Sequence, residues 1–220
     1  MKLNELMLNV TYEMMKGNME QEITGVVYDS RKVEPGSLFV CLKGFQADGH
    51  QYIGKAVESG ATAIIVEDTD QCEAYDVTFL KVNDSREALA NVSAQWFGNP
   101  SQSMTMIGLT GTKGKTTTAH MVKRIFEEAG HTVGMIGTLG AYIGEEKIPT
   151  KNTTPESYEL HSIFSQMKEK GCSHVVMEVS SQGLKQKRTA GIVFDYGVFL
   201  NLSVGRHLHY HMAAAFFLHL

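Results

Sequence analysis

The stretch GLTGTKGKTTT, Gly108 to Thr118, decides how the second half of this chain folds. Upstream of it, MTMIGL (104–109) is a short, mostly apolar run with β-branched character, which predicts a buried strand. Downstream, Ala119, Met121, Val122, Ile125, Phe126 and Ala129 recur at roughly helical spacing, and Gly130 is a plausible stop. The glycines therefore sit between a strand and a helix, the context of a phosphate-binding loop. The common pattern G-x-x-x-x-G-K-[ST] is met only at its end, by Gly114, Lys115 and Thr116. Its first glycine should fall at 109, which is Leu109; the spacing here is Gly111-Thr112-Lys113-Gly114.

The chemistry survives that departure. Gly111 and Gly114 let backbone N–H groups turn toward an anion, and the start of the following helix adds unsatisfied donors. Lys115 can reach terminal phosphates and the Thr116 hydroxyl can ligate Mg²⁺, while Lys113 adds a second positive charge. The bland alternative is a glycine-rich turn with no ligand, but a turn requires neither a lysine nor three threonines behind its glycines.

Composition narrows the classes. Apolar residues make up 43% of the 220, ordinary for a globular chain. With 20 Lys plus Arg against 24 Asp plus Glu the formal charge is −4, so no nucleic-acid partner is expected. No apolar run is long enough to cross a bilayer, and the N-terminal MKLNELMLNVTYEMMKGN lacks the pattern of a secretory leader. Cys41, Cys72 and Cys172 are odd in number and far apart; they read as reduced, buried thiols of a cytoplasmic protein, expected to be a monomer.

The chain divides in two. Residues 1–99 alternate short apolar strands (25–31, 37–42, 61–67, 77–82) with helical segments near 52–60 and 85–97, and Gly98-Asn99-Pro100 breaks the pattern. A linker is expected near 98–103. Residues 100–220 start with the MTMIGL strand and continue through strands at 131–137, 173–181 and 194–202 and an amphipathic helix from Glu156 to Lys170. The expected fold class is α/β: a small N-terminal α/β domain, then a truncated P-loop-type, mostly parallel α/β ATPase domain with its active loops at the carboxyl ends of the strands.

Polar residues cluster beyond those strand ends. Glu178 closes the apolar strand SHVVMEVSS, followed by Ser180 and Ser181. A carboxylate there can hold phosphate-bound Mg²⁺; the alternative is an arginine partner or an edge charge. Asn152, Thr153 and Thr154, ahead of Pro155, can cap the next helix or bind substrate. Gln186 and Arg188 lie outside the strand, where Lys185, Lys187 and Arg188 can equally be a solvated face. His207, His209 and His211 alternate near the end, with no cysteine or acidic companion to make a zinc site.

Taken together, TGTKGKTTT, NTTPES, VVMEVSSQGL, QKR and NLS…HLHYH resemble, in this order, the motifs of the Mur ligase family, and most of all the branch that adds a third amino acid to UDP-N-acetylmuramoyl-dipeptide. VYDSRKVEPGSLFVCLKGFQADGH resembles that family's uridine-nucleotide segment. The resemblance implies an ATP- and Mg²⁺-dependent amide ligase of peptidoglycan synthesis, with lysine or diaminopimelate as the amino-acid co-substrate. It implies ATP contacts from Gly111, Thr112, Lys113, Gly114, Lys115, Thr116 and Thr117, and metal contacts from Thr116, Glu178 and His207. Lys115, Glu178 and His207 would be catalytic. Thr153, Thr154, Ser180, Gln186 and Arg188 would hold the muramoyl-dipeptide, and Ser30 the uridine diphosphate, with the loop from Gln46 to His50 close by.

Departures accompany the likeness. Arg206 and His209 stand where the family has aspartates, the tail MAAAFFLHL is unlike it, and no lysine follows Arg188 to be carbamylated. On the resemblance, the rest of the ATPase domain and the domain that receives the amino acid would lie beyond Leu220. The expectation is an N-terminal portion of the ligase, inactive in ligation by itself. The alternative is a non-catalytic protein that binds nucleotide or UDP-sugar; a P-loop kinase or GTPase fits less, since no N-K-x-D base-recognition motif is present.

Overall fold

A computed structural model describes residues 1–44 and 47–203. Two compact units divide it, Met1–Trp96 and a second beginning at Phe97. Each is an α/β layer built on one mostly parallel sheet.

The first unit runs α1 (Leu3–Leu6), β1 (Glu13–Lys16), β2 (Gly25–Val27), β3 (Ser37–Val40), α2 (Ile53–Glu58), β4 (Ala63–Val66), β5 (Thr78–Lys81) and α3 (Ser85–Trp96). The sheet order is β1-β5-β4-β3-β2. β2 to β5 are parallel neighbours, and only β1 joins antiparallel, against β5. β3 and β4 are buried at every residue, as expected of strands covered on both faces. On one face Phe39, Ile64, Val66 and Phe79 pack with Ile53 and Ala56 of α2. Cys41 and Cys72 belong to that cluster as free thiols, and burial pushes both above the ordinary thiol range. The alternating pattern of β1 is weak, with Met14 and Met15 both exposed, so this edge strand was not legible in the sequence.

The second unit runs β6 (Thr105–Thr110), α4 (Lys115–Glu128), β7 (Val133–Gly137), β8 (Gly140–Ile143), β9 (Glu146–Ile148), α5 (Ser157–Glu169), β10 (His174–Glu178), α6 (Ser181–Lys185) and β11 (Tyr196–Phe199). The sheet order is β11-β6-β10-β7-β8-β9. The four strands β11, β6, β10 and β7 are parallel, so their carboxyl ends share one edge. β8 and β9 form an antiparallel hairpin between β7 and α5 that is not among the strands expected from the sequence. α4 covers the face bearing Ile107, Leu109, Val133, Met135 and Val176. α5 covers the other, where Leu160, Phe164 and Met167 meet Met106, Ile136, Val175 and Met177. The segment expected as a linker is instead docked: Pro100–Ser103 is a 3-10 turn with Pro100 and Ser101 buried.

His161 of α5 is fully buried, edge-on to Phe164 at 5.8 Å, and neither ring nitrogen has a hydrogen-bond partner among the described residues. Burial lowers its pKa to about 4. The folded state therefore binds this proton less readily than the unfolded chain. The corresponding stability is present above about pH 6.5 and is lost as pH falls toward 4. We expect urea unfolding, followed by far-UV dichroism, to show an acid loss on the order of 3 kcal/mol over that window. His161→Leu should remove this component; an unchanged acid slope in the variant would assign it to other groups.

Candidate functional site

The site is assembled at the carboxyl edge of the second sheet. β6 ends at Thr110 and the chain turns through Gly111 to Gly114 into α4. Gly111 has φ 145° and Gly114 has φ 85°, backbone that suits glycine. The turn opens α4 at Lys115, and the first N–H groups of a helix have no carbonyl partner within it. Lys115 Nζ donates to Gly111 O at 2.7 Å, so the ammonium lies across the loop rather than out in solvent. Thr112 and Lys113 occupy the loop crest, and Thr117 lies exposed in the helix's first turn. Thr116 turns the other way, toward β10.

Glu178 is the centre of that edge. It is the last residue of β10 and only 1% exposed. Its Oε2 accepts from Thr116 Oγ1 at 3.0 Å and from Thr138 Oγ1 at 3.1 Å. Its Oε1 accepts from the Thr138 amide at 3.0 Å. All three donors are neutral, and among the described residues no lysine, arginine or histidine pairs with this carboxylate. A buried carboxylate without a cation is costly. The donor set, two hydroxyls and a hard carboxylate beside a phosphate loop, fits an oxygen-seeking divalent cation such as Mg²⁺.

Sequence reasoning missed Gly137 and Thr138, which follow β7 at the same sheet edge. The signal was available: the strand at 131–137 is a neighbour whose carboxyl end must face the same way as that of β10. A Cβ on Gly137 would lie 2.1 Å from Glu178 Oε1, so the absence of a side chain is what lets the carboxylate cross β7. Thr138 Oγ1 also lies 3.0 Å from Thr153 Oγ1, linking the carboxylate to the polar shelf.

That shelf is not a helix cap. The N-cap of α5 is Glu156, which makes no side-chain capping bond. Thr154 is fully buried instead: its Oγ1 meets Glu178 O and Ser180 Oγ, both at 3.1 Å, and accepts from the Ser180 amide at 2.9 Å. Ser180 caps α6 by accepting from the Gly183 amide at 3.0 Å. Nor is Arg188 part of a solvated face. Its Nη1 donates to Thr154 O at 2.8 Å and its Nε stands 3.5 Å from Glu156 Oε2. Gln186 is 8% exposed, with Oε1 lacking a hydrogen-bond partner among the described residues. Thr153, Thr154, Ser180 and Arg188 thus cluster around the end of β10, while Gln186 is the C-cap of α6. His207, with Arg206, His209 and His211, lies outside the described residues.

In the first unit, Ser30 sits buried in a 3-10 turn after β2, capped by Asp29, which accepts from the Arg31 amide. The segment after β3 is organised by His50. Its Nδ1 meets Asp48 Oδ1 at 2.5 Å, and its Nε2 accepts from the amides of Glu67 and Asp68 at 3.0 and 3.3 Å. With Nε2 accepting, the ring proton is assigned to Nδ1. Burial works against the Asp48 carboxylate, but the amide and ring of His50 outweigh it and hold its pKa below the ordinary value. Gln46 is outside the described residues.

A strand–glycine loop–helix with a lysine and threonine at the helix start, facing a carboxylate from the neighbouring parallel strand, defines a P-loop-type α/β site. Comparison with known proteins gives the family. Residues 109–215 match the Mur ligase middle domain, and residues 22–97 match the Mur ligase family, catalytic domain. The chain belongs to the Mur ligase family. It is 47% identical over 211 residues to the UDP-N-acetylmuramoyl-L-alanyl-D-glutamate–2,6-diaminopimelate ligase of Clostridium perfringens, covering 96% of this chain and 43% of that protein. The Bacteroides fragilis protein of the same name is 44% identical over 211 residues, with the same coverage. The chain therefore spans less than half the length of these curated relatives. A solved structure of a ligase of that name superposes with a TM-score of 0.81 at 25% identity, covering 98% of this chain and 44% of that one. The MurF ligase from Thermotoga maritima, solved in complex with ADP, gives 0.54 at 27% identity, covering 80% and 37%.

The contact between Gly137 and Glu178 is open to test. Gly137→Ala should cost about 1–3 kcal/mol in urea unfolding, because the carboxylate must leave its three donors or β7 must shift. An unchanged unfolding midpoint would mean that Glu178 has room elsewhere.

Proposed function

We propose that this chain carries the nucleotide site and the UDP-substrate site of a ligase that joins diaminopimelate to UDP-N-acetylmuramoyl-L-alanyl-D-glutamate. The observation that carries the reading is Lys115 and Thr116 at the mouth of the glycine loop, with Thr116 bonded to the buried Glu178. The names of the relatives supply the substrate and the amino acid, and the ADP in the Thermotoga maritima complex supports ATP as the nucleotide.

In this reading the loop amides and Lys115 hold the phosphates and stabilise negative charge on the phosphoryl group as it transfers. Thr116 and Glu178 would hold Mg²⁺, which supplies charge neutralisation between the phosphates when bound. Thr138 keeps Glu178 oriented through its amide and hydroxyl. Arg188, Ser180, Thr153, Thr154 and Gln186 orient the muramoyl-dipeptide, and Ser30 and the His50-braced segment bind the uridine diphosphate. A substrate carboxylate oxygen attacks the γ-phosphorus and ADP leaves, giving an acyl phosphate. The amine nitrogen of the incoming amino acid then attacks the acyl carbon, loses a proton and expels phosphate, leaving the amide. In the full reaction His207 is proposed as a further metal ligand.

Titration calorimetry tests the nucleotide half directly. The 220-residue chain should bind Mg-ATP, and Lys115→Ala should weaken that binding by at least about tenfold, having removed the charge opposite the terminal phosphates. Equal affinities would exclude the glycine loop as the phosphate site.

A further inference from the structure

β11 leaves the sheet at Phe199, and the next four residues run beside the phosphate loop. The Leu200 amide still donates to Thr110 O at 2.9 Å, continuing the parallel ladder by one step. Asn201 then meets the loop three times. Its backbone oxygen accepts from the Thr112 amide at 3.0 Å. Its side-chain Oδ1 accepts from the Lys113 amide at 3.0 Å, and its Nδ2 donates to Lys113 O at 2.9 Å. The carboxamide thus pairs with both polar groups of one loop residue, as a neighbouring strand would. Two residues on, the Ser203 amide donates to Thr112 Oγ1 at 3.2 Å. The fit is close: a Cβ on Gly111 would come within 3.0 Å of Asn201 O and 3.1 Å of Asn201 N.

We propose that Asn201 is a positioning residue for the nucleotide, a clamp that sets which amides of the loop face the phosphates. The inference rests on the nucleotide reading above. It follows from counting donors. The Thr112 and Lys113 amides are committed to Asn201, so the anion is left to the amides from Gly114 to Thr117 and to Lys115. Without the carboxamide, the Thr112–Lys113 peptide is free to rotate, and the loop must be ordered at the moment of binding. That ordering cost appears as lost affinity. Only asparagine or glutamine offers a paired acceptor and donor in one planar group, and asparagine has the shorter reach. Aspartate keeps the acceptor but sets an oxygen against Lys113 O and adds negative charge beside the phosphates.

The test takes two readings on the same 220-residue chain, wild type, Asn201→Ala and Asn201→Asp. Amide hydrogen exchange, resolved by NMR without nucleotide, reports the clamp itself. The Lys113 amide should exchange about tenfold faster or more in Asn201→Ala, which loses the acceptor, while amides in β6 and β10 keep their wild-type rates; Asn201→Asp retains an acceptor for that amide and serves the affinity reading only. Calorimetry with Mg-ATP reports positioning: Asn201→Ala should bind about tenfold more weakly, and Asn201→Asp more weakly still. Unchanged Lys113 exchange would overturn the clamp. Faster exchange with unchanged Mg-ATP affinity would overturn its positioning role. A wild-type chain that fails to bind Mg-ATP would instead defeat the nucleotide reading, and the positioning role with it, while the exchange data would still show whether Asn201 holds the loop. Should Asn201→Ala not fold, Asn201→Leu, close to asparagine in shape but without acceptor or donor, carries both readings.

Discussion

A buried carboxylate that no cationic side chain among the described residues neutralises governs the second unit. Glu178 ends a central parallel strand, where the hydrogen-bonded ladder stops and backbone groups need partners. It is reached from three directions: by Thr116 from the helix after β6, by Thr138 from the end of β7, and by Thr154 through the backbone oxygen of Glu178 itself. These contacts exist because parallel strands bring all their carboxyl ends to one edge. The same edge therefore hosts the phosphate loop, the carboxylate and the polar shelf, and a change in any one is felt by the others.

Much of this was legible in the sequence because the signals are local. A strand followed by two glycines, a lysine and a threonine between Thr105 and Thr116 predicts a P-loop-type strand, loop and helix without knowledge of its neighbours. The glutamate in VVMEVSS was legible because an acidic residue closing an apolar strand demands a partner. Helices α4 and α5 followed from the spacing of their apolar residues. The reading was weaker where only one face of an element packs or where pairing is non-local. The β8–β9 hairpin has short strands with exposed residues at Glu146 and Lys147, and its turn carries little pattern. β1 shows no alternation because it lies at an edge.

The site's second layer was invisible for a different reason. Gly137 matters through empty space, which no residue pattern announces. Thr138 matters because β7 lies beside β10, a fact of sheet order rather than of spacing. Asn201 acts on residues nearly ninety positions earlier. Arg188 read as one of three basic residues on a polar run, and only the fold shows that Thr154 O and Glu156 draw it inward. The left-handed Lys187 before it, at φ 52°, turns the chain so that Arg188 points back at the shelf.

The central claim is that Glu178 and Thr116 exist to hold a divalent cation against the phosphates. Its sharpest measurement is the dependence of ATP affinity on Mg²⁺, by calorimetry, in the wild-type chain and in Glu178→Gln. Glutamine keeps the shape and can still accept from the Thr138 amide, but it removes the charge. The account predicts that Mg²⁺ strengthens ATP binding to the wild type, and that the variant binds ATP with and without Mg²⁺ at nearly the affinity the wild type shows in chelator. A variant whose Mg²⁺ enhancement equals that of the wild type would contradict the account, leaving Glu178 as a structural carboxylate only.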